Sequence, residues 1–286
     1  MYIKDYFKKD KSIISFEIFP PKKDAPVEGV LEASKLMADM KPSYMSITYG
    51  AGGTSRDNTV SLSSYVQNEL GITALSHLTC VGTKKEELPR MLRELKDNNV
   101  TNILALRGDF PEGGENMPLH YKHASNLIEE IKKTGDFCVG GACYPEGHLE
   151  SDNVYIDMEN LKYKVDAGVD FLVSQLFFDN SVFFNFLYRA AAKGINVPID
   201  AGIMPVTSKK QIKRMCALSG SALTPKYKSI LDKYYDKPES LEKAGIAYAT
   251  DQIIDLIANG VSGIHLYTMN KPEIAGAIMK NLEGII

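Results

Sequence analysis

Eight short runs rich in apolar and β-branched residues recur along the chain with amphipathic stretches between them, and no other feature narrows the possible folds as much. The runs are Ser12 to Phe19, Ser43 to Tyr49, Ile72 to Cys80, Thr101 to Arg107, Phe137 to Tyr144, Phe171 to Phe177, Val197 to Ile203 and Gly263 to Thr268. Helix-like segments separate them: Glu28 to Met40, Asp57 to Leu70, Lys84 to Asn98, His123 to Lys133, Ile156 to Ala167, Ser181 to Lys193 and Ser208 to Leu218. The last connection is the longest, a lysine- and tyrosine-rich stretch from Ser221 to Lys243 followed by a helical Ala244 to Ala258. Eight β-α repeats favour a closed (β/α)8 barrel over a doubly wound sheet. The expectation is an α/β fold, a single TIM barrel over residues 1–286 with no linker, low-complexity tract or internal repeat.

Charge and cysteine usage exclude several classes of function. With 33 Lys and Arg against 36 Asp and Glu, the net charge of −3 lacks the basic excess that phosphate neutralisation requires, so no nucleic-acid partner is expected. The four cysteines, Cys80, Cys138, Cys143 and Cys216, form no C-x-x-C pair, which argues against a disulfide framework or a thiolate metal site. His120 and His123 lie three apart near a helix start, but no further His or carboxylate completes a ligand set, so no metal is expected. Residues 1–11 lack the apolar core of a signal peptide, and no run reaches the length of a membrane span. A cytoplasmic protein is the expectation.

A barrel places its chemistry where the strands end and the βα loops converge. Strand one ends in Ser15-Phe16-Glu17-Ile18-Phe19-Pro20-Pro21-Lys22, where alternation sets Ile14, Phe16 and Ile18 on one face and Ser15 and Glu17 on the other. A carboxylate there either finds a fixed partner or keeps a proton for chemistry. Two prolines then stop ladder pairing, so Glu17 sits on the last rigid element before the mouth. In strand four, Ile103, Ala105, Arg107 and Asp109 share one face and Leu104 and Leu106 the other. Continued extension would aim the charged pair into the mouth, where it suits an anionic or polar ligand. A simple Gly108 turn is the plainer alternative.

The remaining motifs say less on their own. Gly50-Ala51-Gly52-Gly53-Thr54-Ser55 matches neither a dinucleotide fingerprint nor a Walker loop. Asp157, Asn160, Leu161 and Lys164 fall at helical spacing, and a face with three polar groups reads by itself as solvent-facing. Gln175, an amide among apolar neighbours in Ser174-Gln175-Leu176-Phe177-Phe178-Asp179, needs partners, either in the core or on a ligand.

Taken together these blocks resemble the methylenetetrahydrofolate reductases. The resemblance is carried by the Glu17 block and by Ile47-Thr48-Tyr49-Gly50-Ala51, His77-Leu78-Thr79-Cys80, Leu104-Ala105-Leu106-Arg107-Gly108-Asp109 and Tyr144-Pro145-Glu146. It continues through Leu161 to Gly168, Gln175 to Asp179, Gly202-Ile203-Met204-Pro205-Val206 and His265-Leu266-Tyr267-Thr268-Met269-Asn270. It implies a flavin-containing barrel that reduces 5,10-methylenetetrahydrofolate to 5-methyltetrahydrofolate.

By motif, Glu17 matches the acid that protonates N10 of the folate and opens its five-membered ring to a 5-iminium cation, which receives hydride from reduced flavin. Asp109 matches a carboxylate beside flavin and pterin that favours the cation. Thr48, Tyr49, Ala51, His77, Arg107, Gly108 and Asp109 match flavin-lining positions, as do Ala124, Tyr144, His148, Asp157, Asn160 and Lys164. Arg107, Lys164 and loop amides would balance the flavin phosphates. Gln175, Met215 and Tyr267, with Glu17, match positions that meet the folate. Gln175 and Tyr267 also meet the nicotinamide donor, and one flavin face used in turn implies ping-pong kinetics.

Some relatives carry Arg where Tyr163 stands, and an aromatic where Met215 stands. FAD is implied as cofactor ahead of FMN, and the electron donor is NADH, NADPH or a protein. A homo-oligomer is expected, or a complex with a partner subunit. The chain stops at Ile286, so neither the carboxy-terminal regulatory domain of some relatives nor inhibition by S-adenosylmethionine is expected. Two other readings predict different behaviour. A flavin-bearing subunit of an electron-transfer assembly would need its partner to respond to nicotinamides, and a corrinoid or pterin methyl carrier would show no flavin absorbance.

Overall fold

A computed structural model describes residues 1–9, 11–21, 26–49, 56–110, 113–114 and 119–286. Eight parallel strands run β1 (Ile13–Ile18), β2 (Tyr44–Ile47), β3 (Thr73–Thr79), β4 (Asn102–Leu106), β5 (Cys138–Cys143), β6 (Phe171–Ser174), β7 (Ile199–Ile203) and β8 (Gly263–Tyr267). They pair in sequence order, and β8 closes back onto β1. The barrel expected from the alternation is therefore the fold observed, with strand ends matched or trimmed by up to three residues.

Helices α1 (Glu28–Ala38), α2 (Arg56–Ser64), α3 (Leu88–Asp97), α4 (Ala124–Thr134), α5 (Val154–Asp166), α6 (Asn180–Ala192) and α7 (Lys209–Ser219) fill the first seven connections. In α3 the buried Leu88, Met91, Leu92 and Leu95 fall at the i, i+3, i+4, i+7 spacing that fixes one face against the sheet. The long connection before β8 holds two helices, α8 (Pro225–Tyr234) and α9 (Pro238–Ala258), and α10 (Pro272–Asn281) follows β8. The Ser221 to Lys243 stretch thus contains a helix and the start of another. Thr224 caps α8 by accepting from the Tyr227 amide, Pro225 occupies its first turn, and Tyr227 and Leu231, four apart, bury its inner face.

Strand parity sorts the core into two layers. Phe16 and Ile18 of β1, Met45 and Ile47 of β2, Ile103 and Ala105 of β4 and Ile264 and Leu266 of β8 pack outward beneath the helices. Ile13, Tyr44, Leu75, Leu104, Cys138 and Phe171 fill the barrel interior. A 3-10 helix over Ile3–Lys8 packs against this inner layer through Ile3, whose amide donates to Asn102 Oδ1 at 2.9 Å.

The inner layer corrects the reading of strand four. Leu104 and Leu106 belong to the interior, while Ile103 and Ala105 face the helices. Regular extension would have carried Arg107 outward, but β4 ends at Leu106 and Gly108 takes a φ of 82°. The turn, not strand alternation, sets where Arg107 and Asp109 lie.

Candidate active site

At the carboxyl end of β1, Glu17 is 7% exposed and points into the barrel, as the alternation predicts. Its strand neighbours in register are Ser46 on β2 and Tyr267 on β8. Two imidazoles flank the carboxylate: His77 Nε2 and His265 Nε2 each lie 3.8 Å from Glu17 Oε2. Both ring nitrogens also meet the Ser46 hydroxyl, at 3.3 and 3.4 Å. His265 Nδ1 is 2.7 Å from Ser15 Oγ, and the His265 ring stacks on Tyr44 at 5.9 Å between centroids.

Below them Tyr44 donates to Asp200 Oδ2 at 2.5 Å. Burial pushes the Asp200 carboxyl up to about 6 and the His77 imidazole down to about 4, so His77 is neutral near pH 7. The Glu17 backbone is fixed as well, because its carbonyl accepts from Thr268 Oγ1 at 2.6 Å.

A second group of predicted residues gathers at the ends of β4 and β5. Arg107 makes a two-point contact with Glu150, through Nη1 to Oε2 and through Nη2 to Oε1, the latter at 2.8 Å. The pair raises the guanidinium and lowers the carboxyl from their ordinary values. Tyr144 is pushed up to about 12 by burial and then by the nearby Asp109 carboxylate. Its ring meets His148 edge-on at 4.6 Å.

The polar face of α5 is solvent-facing only in part. Leu161 is buried, and Lys164 lies against β5, its Nζ donating to the Ala142 carbonyl at 2.6 Å. Burial lowers the Lys164 ammonium from its ordinary value, with Cys143 and Asp157 opposing the shift. Asp157 accepts from Ser151 at 3.2 Å, whereas Asn160 is exposed.

The other predicted residues are placed less uniformly. Gln175 lies just past β6 with its side-chain Oε1 accepting from the Leu176 amide at 2.9 Å. Met215 and Tyr267 border one apolar cluster that includes Leu176 and Met204. Thr48 follows β2, and its amide continues the ladder to Ile18. Tyr49 packs at the edge of the main core, and Ala124 is buried in the first turn of α4. Ala51, like the rest of the glycine-rich loop from Gly50 to Ser55, lies outside the described residues.

Sequence reasoning singled out neither Ser46 and His265 nor Tyr44, Asp200 and Glu150 as site residues. Parity could have found two of them: Ser46 precedes Thr48 by two and His265 precedes Tyr267 by two, so each shares an inward face.

The residues present fit a flavin. Tyr144 is a half-buried phenol whose hydroxyl makes no hydrogen bond among the described residues. Thr48, His77 and His148 offer polar groups, and Arg107 and Lys164 offer cations suited to phosphate. Gly108 lets the β4 loop close down on β3, since a Cβ there would lie 2.8 Å from Thr79 Cβ.

Comparison with known proteins places the chain in a family. The family described as methylenetetrahydrofolate reductase matches residues 2–283. The 5,10-methylenetetrahydrofolate reductase of Escherichia coli is 34% identical over 94% of this chain and 90% of its own length. The Arabidopsis thaliana methylenetetrahydrofolate reductase (NADH) 1 is 34% identical over 99% of this chain, which spans 50% of that longer protein. Among solved structures, an uncharacterized protein from Clostridium thermocellum, which binds two copies of 5-methyl-5,6,7,8-tetrahydrofolic acid, shares the fold. Its TM-score is 0.71 at 16% identity, covering 99% of this chain and 97% of that one. A match over nearly the whole chain, together with a curated relative at this identity, shows that the chain belongs to the methylenetetrahydrofolate reductase family.

Proposed function

We propose that the chain, acting as one catalytic domain in the cytoplasm, reduces 5,10-methylenetetrahydrofolate to 5-methyltetrahydrofolate with Glu17 as general acid. The observation that carries this reading is the carboxyl of Glu17, buried at the inner rim and facing, among the described residues, two imidazoles instead of a lysine or arginine. A carboxylate held for structure pairs with a fixed cation, and among the described residues Glu17 has none beside it. Glu17 delivers a proton to N10 of the folate, which opens the five-membered ring and leaves a cationic C=N5 bond. Bound flavin, FAD ahead of FMN, supplies the hydride that reduces this bond.

Other residues bind and orient. Arg107 and Lys164 hold the phosphate end of the cofactor, with Thr48, Tyr49, Ala51, His77, Gly108, Ala124, Tyr144, His148, Asp157 and Asn160 along it. Asp109, exposed after the Gly108 turn, supplies a negative charge that favours the folate cation. Gln175, Met215 and Tyr267 hold the pterin. Because the donor and the folate use these same groups in turn, the kinetics are ping-pong, and the donor is NADH, NADPH or a partner protein.

The test is an anaerobic titration of the purified yellow protein, first with each nicotinamide and then with methylenetetrahydrofolate. Bleaching by a nicotinamide and recovery of colour with formation of 5-methyltetrahydrofolate is the expected result. Bleaching only after a partner protein is added assigns the donor to that partner. A protein that takes up no flavin contradicts the proposal.

A further inference from the structure

We propose that Ser15 and His265 are positioning residues for the general acid assigned above: they fix ring tautomers so that Glu17 lies beside one ring N–H and one bare ring nitrogen. The Ser15 hydroxyl lies 3.2 Å from the Ile264 carbonyl, which can only accept. The Ser15 proton therefore has an acceptor apart from the imidazole, and with that proton on the Ile264 carbonyl the 2.7 Å contact with His265 is made by Nδ1–H donating to Ser15 Oγ.

The rest follows by counting protons. A neutral His265 with its proton on Nδ1 has a bare Nε2, which accepts from the Ser46 hydroxyl. Ser46 has a single proton, so its other imidazole contact, His77 Nε2, must be the donor. Glu17 Oε2 then lies 3.8 Å from a donor, His77 Nε2–H, and 3.8 Å from an acceptor, His265 Nε2. Both groups are engaged by Ser46 and at 3.8 Å act on Glu17 through their dipoles: the His77 N–H favours the ionised carboxylate and the His265 lone pair the protonated acid.

Turnover consumes one proton at N10, and the carboxylate is recharged from water through the mouth. Neither imidazole has to become charged for that cycle. The titratable groups facing Glu17 are His77 on β3 and His265 and Tyr267 on β8, with Tyr44 on β2 and Asp200 on β7 beneath them. The reverse tautomers would put Ser15 Oγ and the Ile264 carbonyl lone pair to lone pair at 3.2 Å and give Glu17 the opposite pair of neighbours.

Imidazole nitrogen-15 shifts measured near pH 7 read the tautomers directly, without substrate or turnover. His265 is expected to carry its proton on Nδ1 and His77 on Nε2, and a proton on His265 Nε2 overturns the proposal. A kinetic arm separates this inference from the assignment of Glu17. Ser15→Ala removes the acceptor for Nδ1–H, so the His265 ring turns over to Nε2–H and Glu17 faces two donors, which favours its ionised form. The pH above which folate reduction falls off should move down by about one unit, roughly a tenfold loss on the falling limb, and Ser15→Thr should restore it. An unchanged profile in Ser15→Ala, with Glu17→Gln inactive toward folate, sinks the inference alone. Folate reduction surviving in Glu17→Gln sinks the assignment beneath it.

Discussion

Tyr267 spans Gly202. Its hydroxyl donates at 2.6 Å to the Ser174 carbonyl two strands away, and a Cβ at residue 202 would sit 2.7 Å from the Tyr267 ring and 2.2 Å from that same carbonyl. The glycine is required by this close approach and not by a turn. It lets an aromatic ring lie across the inner rim beside Glu17, its neighbour in register.

Gly202→Ala should therefore destabilise the protein by about 1–3 kcal/mol, because the backbone carbonyl cannot yield as a flexible side chain would. It should also weaken folate binding by displacing Tyr267. Tyr267→Phe removes one hydrogen bond and should cost about 1 kcal/mol. Denaturant unfolding of both variants checks the order, and an equal cost would mean that the ring does not occupy the space above Gly202.

Asp200 and His77 push the pH dependence of stability in opposite directions. The native Asp200 carboxyl is raised from 3.8 to about 6, so its contribution is fully present below pH 3.8 and is lost as pH rises to about 6. The native imidazole of His77 is lowered from 6.5 to about 4, so the protein gains stability as pH rises through that window. Relative to the parent, Asp200→Asn should gain stability between pH 4 and 6 and His77→Gln should lose it, each by on the order of 2–3 kcal/mol. Unfolding free energies at intervals across this window show whether the two slopes are opposite, as required.

The Arg107–Glu150 contact is open to solvent on the carboxylate side, where the side chain is 61% exposed. Such a pair adds little to stability, so Glu150→Gln should change it by less than about 0.5 kcal/mol. Freed from this partner, Arg107 should hold the cofactor phosphates more tightly, while Arg107→Gln should release flavin at least tenfold more readily. Flavin fluorescence on dilution measures both, and tighter retention in Arg107→Gln would contradict the role given to this cation.

The barrel was legible because its signal is repeated: eight apolar runs with helices between them fix strand count, order and parallel pairing together. Glu17 was legible because β1 alternates strictly and ends at two prolines. Strand four misled because Ile103 and Leu104 are equally apolar, so parity alone does not say which side faces the interior; the outward layer beneath the helices took Ile103. The face of α5 misled for a different reason. Lys164 reads as a surface residue, yet its stem covers β5 and its ammonium finds a carbonyl there. The tyrosines of α8 read as a polar connection because a tyrosine pattern hides helical spacing, although Thr224 and Pro225 marked the start. The contact among Ser15, Ser46, His77 and His265 joins four residues from four strands, and only barrel closure brings β8 beside β1.

Glu17→Gln tests the proton-donor role most directly, because it keeps the shape of the side chain and removes the transferable proton. The two half-reactions of the flavin-loaded variant are followed separately and anaerobically: reduction by the electron donor, then reoxidation by methylenetetrahydrofolate. Folate reduction should fall by about 10²–10⁴-fold while reduction by the donor persists, the range expected for loss of a positioned acid. Equal loss of both steps, or folate reduction at the parent rate, would contradict the assignment of Glu17 as the acid.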